Sequence, residues 1–214
     1  MTGILFDLDG TLLNTLEDLT DATNYALGQF GYPRRTQEQV RRAIGNGAAN
    51  QIRKSLPEGT AEDRVQEVLA VYKAYYTNHC RIKTRPYEGV LQALEVLKEK
   101  YPVAIVSNKP DAAVKALCRE FFPGIYALGE TPDCPRKPAP DMVFKGMRAI
   151  GAECCIYVGD SEVDVKTAGN AGVPCLCVLW GFRDREDMTA VGGVHFCADP
   201  LQLPQKIEEL IHGK

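Results

Sequence analysis

Five short apolar runs that lack polar alternation, with helical patterns between them, constrain this chain more than any other feature. They are GILFD (3–7), VAIVS (103–107), IYAL (125–128), CIYVG (155–159) and CLCVL (175–179). A strand that is apolar at successive positions must bury both of its faces, as happens in a parallel sheet covered by helices on either side. The intervening segments supply such helices. Val90, Leu91, Leu94 and Leu97 recur at helical spacing, as do Val114, Leu117 and Phe121, and then Val143, Phe144 and Met147. Leu201, Ile207, Leu210 and Ile211 predict a closing helix. The expected fold class is α/β, with a Rossmann-like parallel sheet as its core.

The alternation fails between Asn14 and Ile82, where only amphipathic helical patterns occur. Leu16, Leu19, Thr23, Ala26, Leu27 and Phe30 make one helical face, and Val65, Val68, Leu69, Tyr72 and Tyr76 make another. A helical block of roughly 70 residues is too long for a crossover between neighbouring strands. Residues 14–82 are therefore expected to form a helical domain inserted into an α/β domain built from residues 1–13 and 83–214.

A chain of 214 residues can bury the core this requires. The net charge is −3, and the insert carries nine basic against eight acidic side chains, so no basic surface for nucleic acid or an anionic membrane is expected. No apolar run is long enough to span a bilayer. Asp7 and Asp9 interrupt the first run, which therefore does not read as a signal peptide. The expectation is a soluble, cytoplasmic protein; its oligomeric state is not written in the sequence. The eight cysteines suit a reducing compartment. None forms a CxxC pair, most lie inside apolar runs, and all are expected as reduced thiols.

The residues able to do chemistry gather where the apolar runs end. The first run leads into Phe6-Asp7-Leu8-Asp9-Gly10-Thr11. Two carboxylates at the end of a buried strand repel one another and need a compensating cation, and a hard, oxygen-liganded ion such as Mg²⁺ suits them. A polar turn with Asp9 capping the next helix is the plainer alternative. Gly159-Asp160-Ser161-Glu162-Val163-Asp164 follows the CIYVG run, and Asp160 and Asp164 share a face if a helix begins at Ser161. Acids are also favoured at any helix start. Ligands of open parallel sheets bind outside the carboxyl ends of the strands, so Asp160 arriving beside Asp7 and Asp9 would complete a metal site. Ser107-Asn108 ends the VAIVS run, where a hydroxyl and an amide can donate to an anion or simply make a turn. Lys137, in Arg136-Lys137-Pro138, reads on its own as a solvated loop lysine. Acids, small donors and a cation at strand ends of one sheet carry weight only together.

The order DLDGT, SN, KP and GDSxxD, with a helical insert after the first motif, resembles the haloacid dehalogenase superfamily with a C1-type helical cap. The resemblance covers essentially the whole chain. It implies that Asp7 is a nucleophile forming an aspartyl-phosphate, and that Asp9 is the general acid/base for leaving group and water. It implies Mg²⁺ held by the Asp7 carboxylate, the Asp9 backbone carbonyl and Asp160, with Asp164 in the outer shell. Ser107, Asn108 and Lys137 would neutralise the transferring phosphoryl oxygens. Dehalogenases of the superfamily carry Tyr two residues after the nucleophile and phosphonoacetaldehyde hydrolases carry Ala. Asp9 matches the phosphatase and phosphomutase pattern, because an alkoxide leaving group needs a proton donor. Asn14 departs from the pattern, since many relatives have Asp there.

Within the insert, Gly45-Asn46-Gly47 in IGNGA resembles the cap loop of phosphoglycolate phosphatases, and Trp180-Gly181-Phe182-Arg183 is similar to the same branch. As pure physics, the first reads as a helix–helix turn before it reads as a binding loop. Exposed backbone N–H groups of a Gly-rich loop could meet a small carboxylate, with Arg41, Arg42 and Arg183 as candidate counter-charges. The expected partner is a small-molecule phosphate ester, phosphoglycolate first. A pyrophosphatase or phosphosugar mutase of the same superfamily, and a non-catalytic phosphate-binding module, are the alternatives. The intact acids argue against the module, which needs no nucleophile.

Overall fold

A computed structural model describes residues 1–213. The chain divides into an α/β unit, Met1–Asn14 with Pro86–Lys214, and a helical unit, Thr15–Arg85. It opens with β1 (Thr2–Phe6) and the short β2 (Leu13–Asn14), then enters four helices: α1 (Leu16–Gln29), α2 (Gln37–Ala43), α3 (Gly47–Ser55) and α4 (Glu62–His79). It returns through β3 (Arg85–Pro86) to α5 (Val90–Lys100), β4 (Val103–Pro110), α6 (Asp111–Phe121) and β5 (Tyr126–Glu130). There follow α7 (Asp141–Ala149), β6 (Cys154–Gly159), α8 (Glu162–Ala171), β7 (Cys175–Val178), α9 (Arg185–Thr189), β8 (His195–Cys197) and α10 (Leu203–His212).

The α/β unit is built on a six-stranded sheet in the order β5-β4-β1-β6-β7-β8. Every pairing in it is parallel. Leu5, Ala104, Val106, Cys155 and Tyr157 face a core completed by Met142 and Val143 of α7 and Ala168 of α8. Ile4, Phe6, Ile105, Ile156 and Val158 alternate with them and are also buried. This two-sided burial is why the strand sequences read as unbroken apolar runs. The five expected strands are all present. The sixth, β8, was not expected, because three residues are too few to show a period.

Strand order positions the site. The chain runs from β1 outward through β4 to β5, then returns to place β6 on the other flank of β1. The direction of winding thus reverses at β1, where an open sheet leaves a crevice beyond its strand ends. Phe6 is level with Ile105 on one side and Val158 on the other. Asp7 therefore emerges beside Val106-Ser107 and Gly159-Asp160.

In the helical unit, α1 packs on α4, and Val65, Val68, Leu69, Tyr72 and Tyr76 are all buried. Buried Asp18 on α1 receives hydrogen bonds from the backbone N–H groups of Lys83 and Thr84 and from the Thr84 hydroxyl, at 2.8–3.0 Å. Its charge is thereby answered without a cation. Among the described residues, no helix is long and apolar enough to cross a membrane.

Candidate active site

Two strand ends, those of β1 and β6, deliver the acids, and the loop before α7 delivers a lysine to them. Lys137 is only 2% exposed, contrary to its reading as a surface loop residue. Its Nζ lies 2.8 Å from Asp7 Oδ1 and 2.8 Å from Asp164 Oδ1, and it donates to the Tyr157 hydroxyl at 3.0 Å. Burial pulls this ammonium down, but Asp164 and Asp7 more than offset that, and its pKa is held well above the usual lysine range. Lys137 is a fixed positive charge.

Asn108 explains how a loop lysine can be held so firmly. Its side-chain Oδ1 accepts from the Lys137 N–H at 2.8 Å, and its Nδ2 donates to the Lys137 carbonyl at 2.9 Å. Asn108, expected as a phosphate donor, also clasps the Lys137 main chain. Ser107, also expected as a donor, is buried at the end of β4 and accepts from the Lys109 N–H at 3.3 Å.

Asp164 is the third residue of α8 and turns back on the helix start, receiving the Ser161 N–H at 3.1 Å and the Ser161 hydroxyl at 2.6 Å on Oδ2. Tyr157 donates to its Oδ1 at 3.2 Å. With Lys137, four donors converge on one carboxylate. A side chain at Gly159 would collide with it, so glycine is required there by space.

Asp160 is clasped by neutral donors. Thr11 Oγ1 donates to Oδ1 at 3.2 Å and the Phe182 N–H to Oδ2 at 2.7 Å. A Cβ at Gly10 or at Gly181 would overlap the Asp160 side chain, so both turns pass it as bare backbone. The Trp180 indole N–H donates to the Thr11 carbonyl at 3.0 Å, tying the two turns together. Arg183 is buried and paired with Glu162 at 3.0 Å.

Asp9 has its own cation. Lys109 Nζ lies 2.9 Å from Asp9 Oδ1. Sequence reasoning stopped one residue short of it in Ser107-Asn108-Lys109, and it also missed Tyr157, which sits inside an apolar strand and reads as core.

Carboxylate oxygens of Asp7, Asp160 and Asp164 lie within 4.8 Å of one another, all buried. Burial lifts the Asp7 carboxyl to about 7; Lys137 opposes the rise and Asp164 adds to it. Asp160 is likewise pushed well up by burial, then by Asp164 and Asp7. Asp7 Oδ1 is buried, with the Lys137 ammonium 2.8 Å from it. Fully ionised, the carboxylates of Asp7, Asp9, Asp160 and Asp164 would exceed the two ammonium groups of Lys137 and Lys109 by the charge of one divalent ion. The all-oxygen donor set fits Mg²⁺. The saturated Asp164 fits an outer position better than a direct one.

Gly45, Asn46 and Gly47 lie at the start of α3 in the helical unit, with Asn46 as the residue before the helix. Gly45 and Gly47 have φ of 119° and 80°, a region that favours glycine. Arg41 and Arg42 on α2 both pair with Glu38.

Residues 4–178 match the family described as haloacid dehalogenase-like hydrolase. Phosphoglycolate phosphatase 1 of Pseudomonas aeruginosa is 36% identical over 192 residues, covering 84% of this chain and 70% of that protein. The phosphoglycolate phosphatase of Mesorhizobium japonicum is 33% identical over 222 residues, covering 95% of each. The crystal structure of a provisionally named phosphoglycolate phosphatase from Lactobacillus delbrueckii subsp. bulgaricus superposes with a TM-score of 0.92 at 35% identity, covering 96% of this chain and 98% of that one.

Proposed function

The chain belongs to the haloacid dehalogenase-like hydrolases and is a phosphatase of that family; on that premise we propose that it hydrolyses small phosphomonoesters through an aspartyl-phosphate on Asp7, with Mg²⁺ as cofactor and phosphoglycolate as substrate. The observation that carries the reading is the Asp7–Lys137 contact at 2.8 Å inside a buried acidic cluster. A buried carboxylate at a strand end, beside a fixed cation, can meet a phosphoryl group whose negative charge would otherwise repel it.

In this reading a carboxylate oxygen of Asp7 attacks phosphorus and the bond to the ester oxygen breaks. Asp9, two residues on, gives the departing alkoxide its proton. Asp9 then takes a proton from the water that attacks the phosphorus of the aspartyl-phosphate, releasing inorganic phosphate and restoring Asp7. Lys137, Ser107 and Asn108 neutralise phosphoryl oxygens, and Asn108 also holds Lys137 in place. The carboxylates of Asp7 and Asp160 and the backbone carbonyl of Asp9 would hold Mg²⁺, with Asp164 behind them. The ion would supply further charge neutralisation at the transferring group.

The choice of phosphoglycolate rests on relatives that carry that name and on the IGNGA and WGFR segments. The reading places the enzyme in the cytoplasm, acting on a soluble small molecule. Phosphate release from phosphoglycolate, phosphosugars, nucleotides and pyrophosphate, with and without Mg²⁺, tests it. The expected outcome is Mg²⁺-dependent release with the highest kcat/KM on phosphoglycolate. A preference for pyrophosphate, or phosphosugar isomerisation without release, would overturn the substrate.

A further inference from the structure

Lys109 is a buried lysine that neither the sequence motifs nor the mechanism above employs. It is 6% exposed, and its Nζ reaches Asp9 Oδ1 at 2.9 Å. A regular β4 would not be expected to aim it there. β4 pairs with β5 through Val106↔Leu128 and again through Pro110↔Glu130, so four steps along β4 match two along β5. Ser107, Asn108 and Lys109 thus stand opposite Gly129 alone, two residues in excess, and a bulge of this kind re-aims the side chains it contains. The partner strand accommodates it. A Cβ on Gly129 of β5 would collide with the Lys109 carbonyl and the Asp111 backbone, and the Gly129 N–H donates to Asp111 Oδ1 at 3.0 Å. Bulge, glycine and lysine form one local arrangement whose outcome is an ammonium on Asp9.

We propose that Lys109 is the positioning residue for Asp9, orienting its carboxylate toward the leaving-group oxygen; the inference rests on the phosphatase reading above. Asp9 is two residues past the nucleophile on a turn, and its carboxylate has rotational freedom that a charge-assisted contact removes. Lys137 stands on Asp7 and Asp164, while Lys109 stands on Asp9. The two lysines thus have separate duties, Lys137 toward the phosphoryl group and Lys109 toward proton delivery.

The separation gives the experiment. p-Nitrophenolate leaves without needing a proton, whereas the glycolate alkoxide needs one. kcat/KM reads the steps up to departure of the leaving group, before the common aspartyl-phosphate. Lys109→Met keeps chain length and removes the charge. It is expected to lose about 10²-fold in kcat/KM on phosphoglycolate and less than about 10-fold on p-nitrophenyl phosphate. Lys109→Arg should recover part of the phosphoglycolate loss. In an Asp9→Asn background the same Lys109→Met change should add no further leaving-group-dependent loss. If Lys109→Met does not fold, Lys109→Gln replaces it, with the same split expected. Equal fractional losses on both substrates, or an undiminished effect in the Asp9→Asn background, overturn the proposal and make Lys109 a phosphoryl-binding or purely structural cation. Failure of the underlying reading looks different: Asp7→Asn would then retain turnover on both substrates.

Discussion

The Phe182 N–H meets Asp160 Oδ2 at 2.7 Å, a contact made by main chain and therefore beyond the reach of side-chain substitution at Phe182 itself. The neighbouring Trp180 ties the same turn to the first motif: its indole bonds to the Thr11 carbonyl, while Thr11 Oγ1 reaches the other oxygen of Asp160. Partners that orient a metal-binding carboxylate typically change metal affinity by about 10–100-fold when removed. Trp180→Phe, which loses the N–H and keeps an aromatic ring, is expected to weaken Mg²⁺ binding about 10-fold, read by calorimetric titration. Asp160→Ala should weaken it further. Exhaustive EDTA treatment should abolish turnover and Mg²⁺ restore it, with Ca²⁺ a poor substitute because its geometry is looser. Full activity after EDTA would remove the metal from the mechanism.

Asp7→Asn keeps the shape of the nucleophile and removes its charge. Turnover should fall by about 10³-fold or more. The fold should persist, because Phe6 and the strand pairing are untouched. Circular dichroism beside phosphate release on phosphoglycolate checks both halves of that expectation. Near-normal release would exclude the aspartyl-phosphate.

The metal-free protein should lose stability as the pH rises toward neutrality. The Asp7 carboxyl is raised by burial from 3.8 to about 7 in the folded protein. Between those values the folded state keeps a proton that the unfolded chain has released. The contribution of Asp7 is therefore fully present below the unfolded value and is lost as pH rises through the folded one. Thermal melts in EDTA at pH 5 and pH 8 should show a larger fall for the wild type than for Asp7→Asn, which has no such proton to lose. Added Mg²⁺ should flatten the difference, since a cation favours the ionised cluster. Identical pH slopes for the two proteins would contradict the burial argument.

The Gly45-Asn46-Gly47 segment is testable through its middle residue. A side chain at Gly47 would be strained by its φ of 80°, so loss of function there would be confounded with loss of stability. Asn46 precedes α3 without a side-chain capping bond, and Asn46→Ala should leave the melting temperature unchanged. If the loop takes part in substrate recognition, kcat/KM should fall more on phosphoglycolate than on p-nitrophenyl phosphate. Equal losses on the two, with a lowered melting temperature, would make it a turn and nothing more.

Residue types and local periodicity were enough to establish five of the six strands of the sheet, the helical insert and the acids at the strand ends. Two-sided burial demands unbroken apolar runs, and carboxylates such as Asp7 and Asp160 stand out wherever those runs stop. β8 escaped because three residues carry no period. Tyr157 escaped because a buried hydroxyl inside a strand looks like core until its partner, Asp164, is placed beside it. Lys137 looked solvated because nothing in its own loop says that Asn108, on β4, will clasp its backbone and deliver its ammonium to Asp7. The assignment of Lys109 to Asp9 was decided by the bulge in β4, a mismatch between two strands that neither strand's sequence contains alone. Chemistry and period are properties of a segment and can be read along the chain. Which charge meets which depends on sheet register and loop path, and those exist only once segments distant in sequence have packed together.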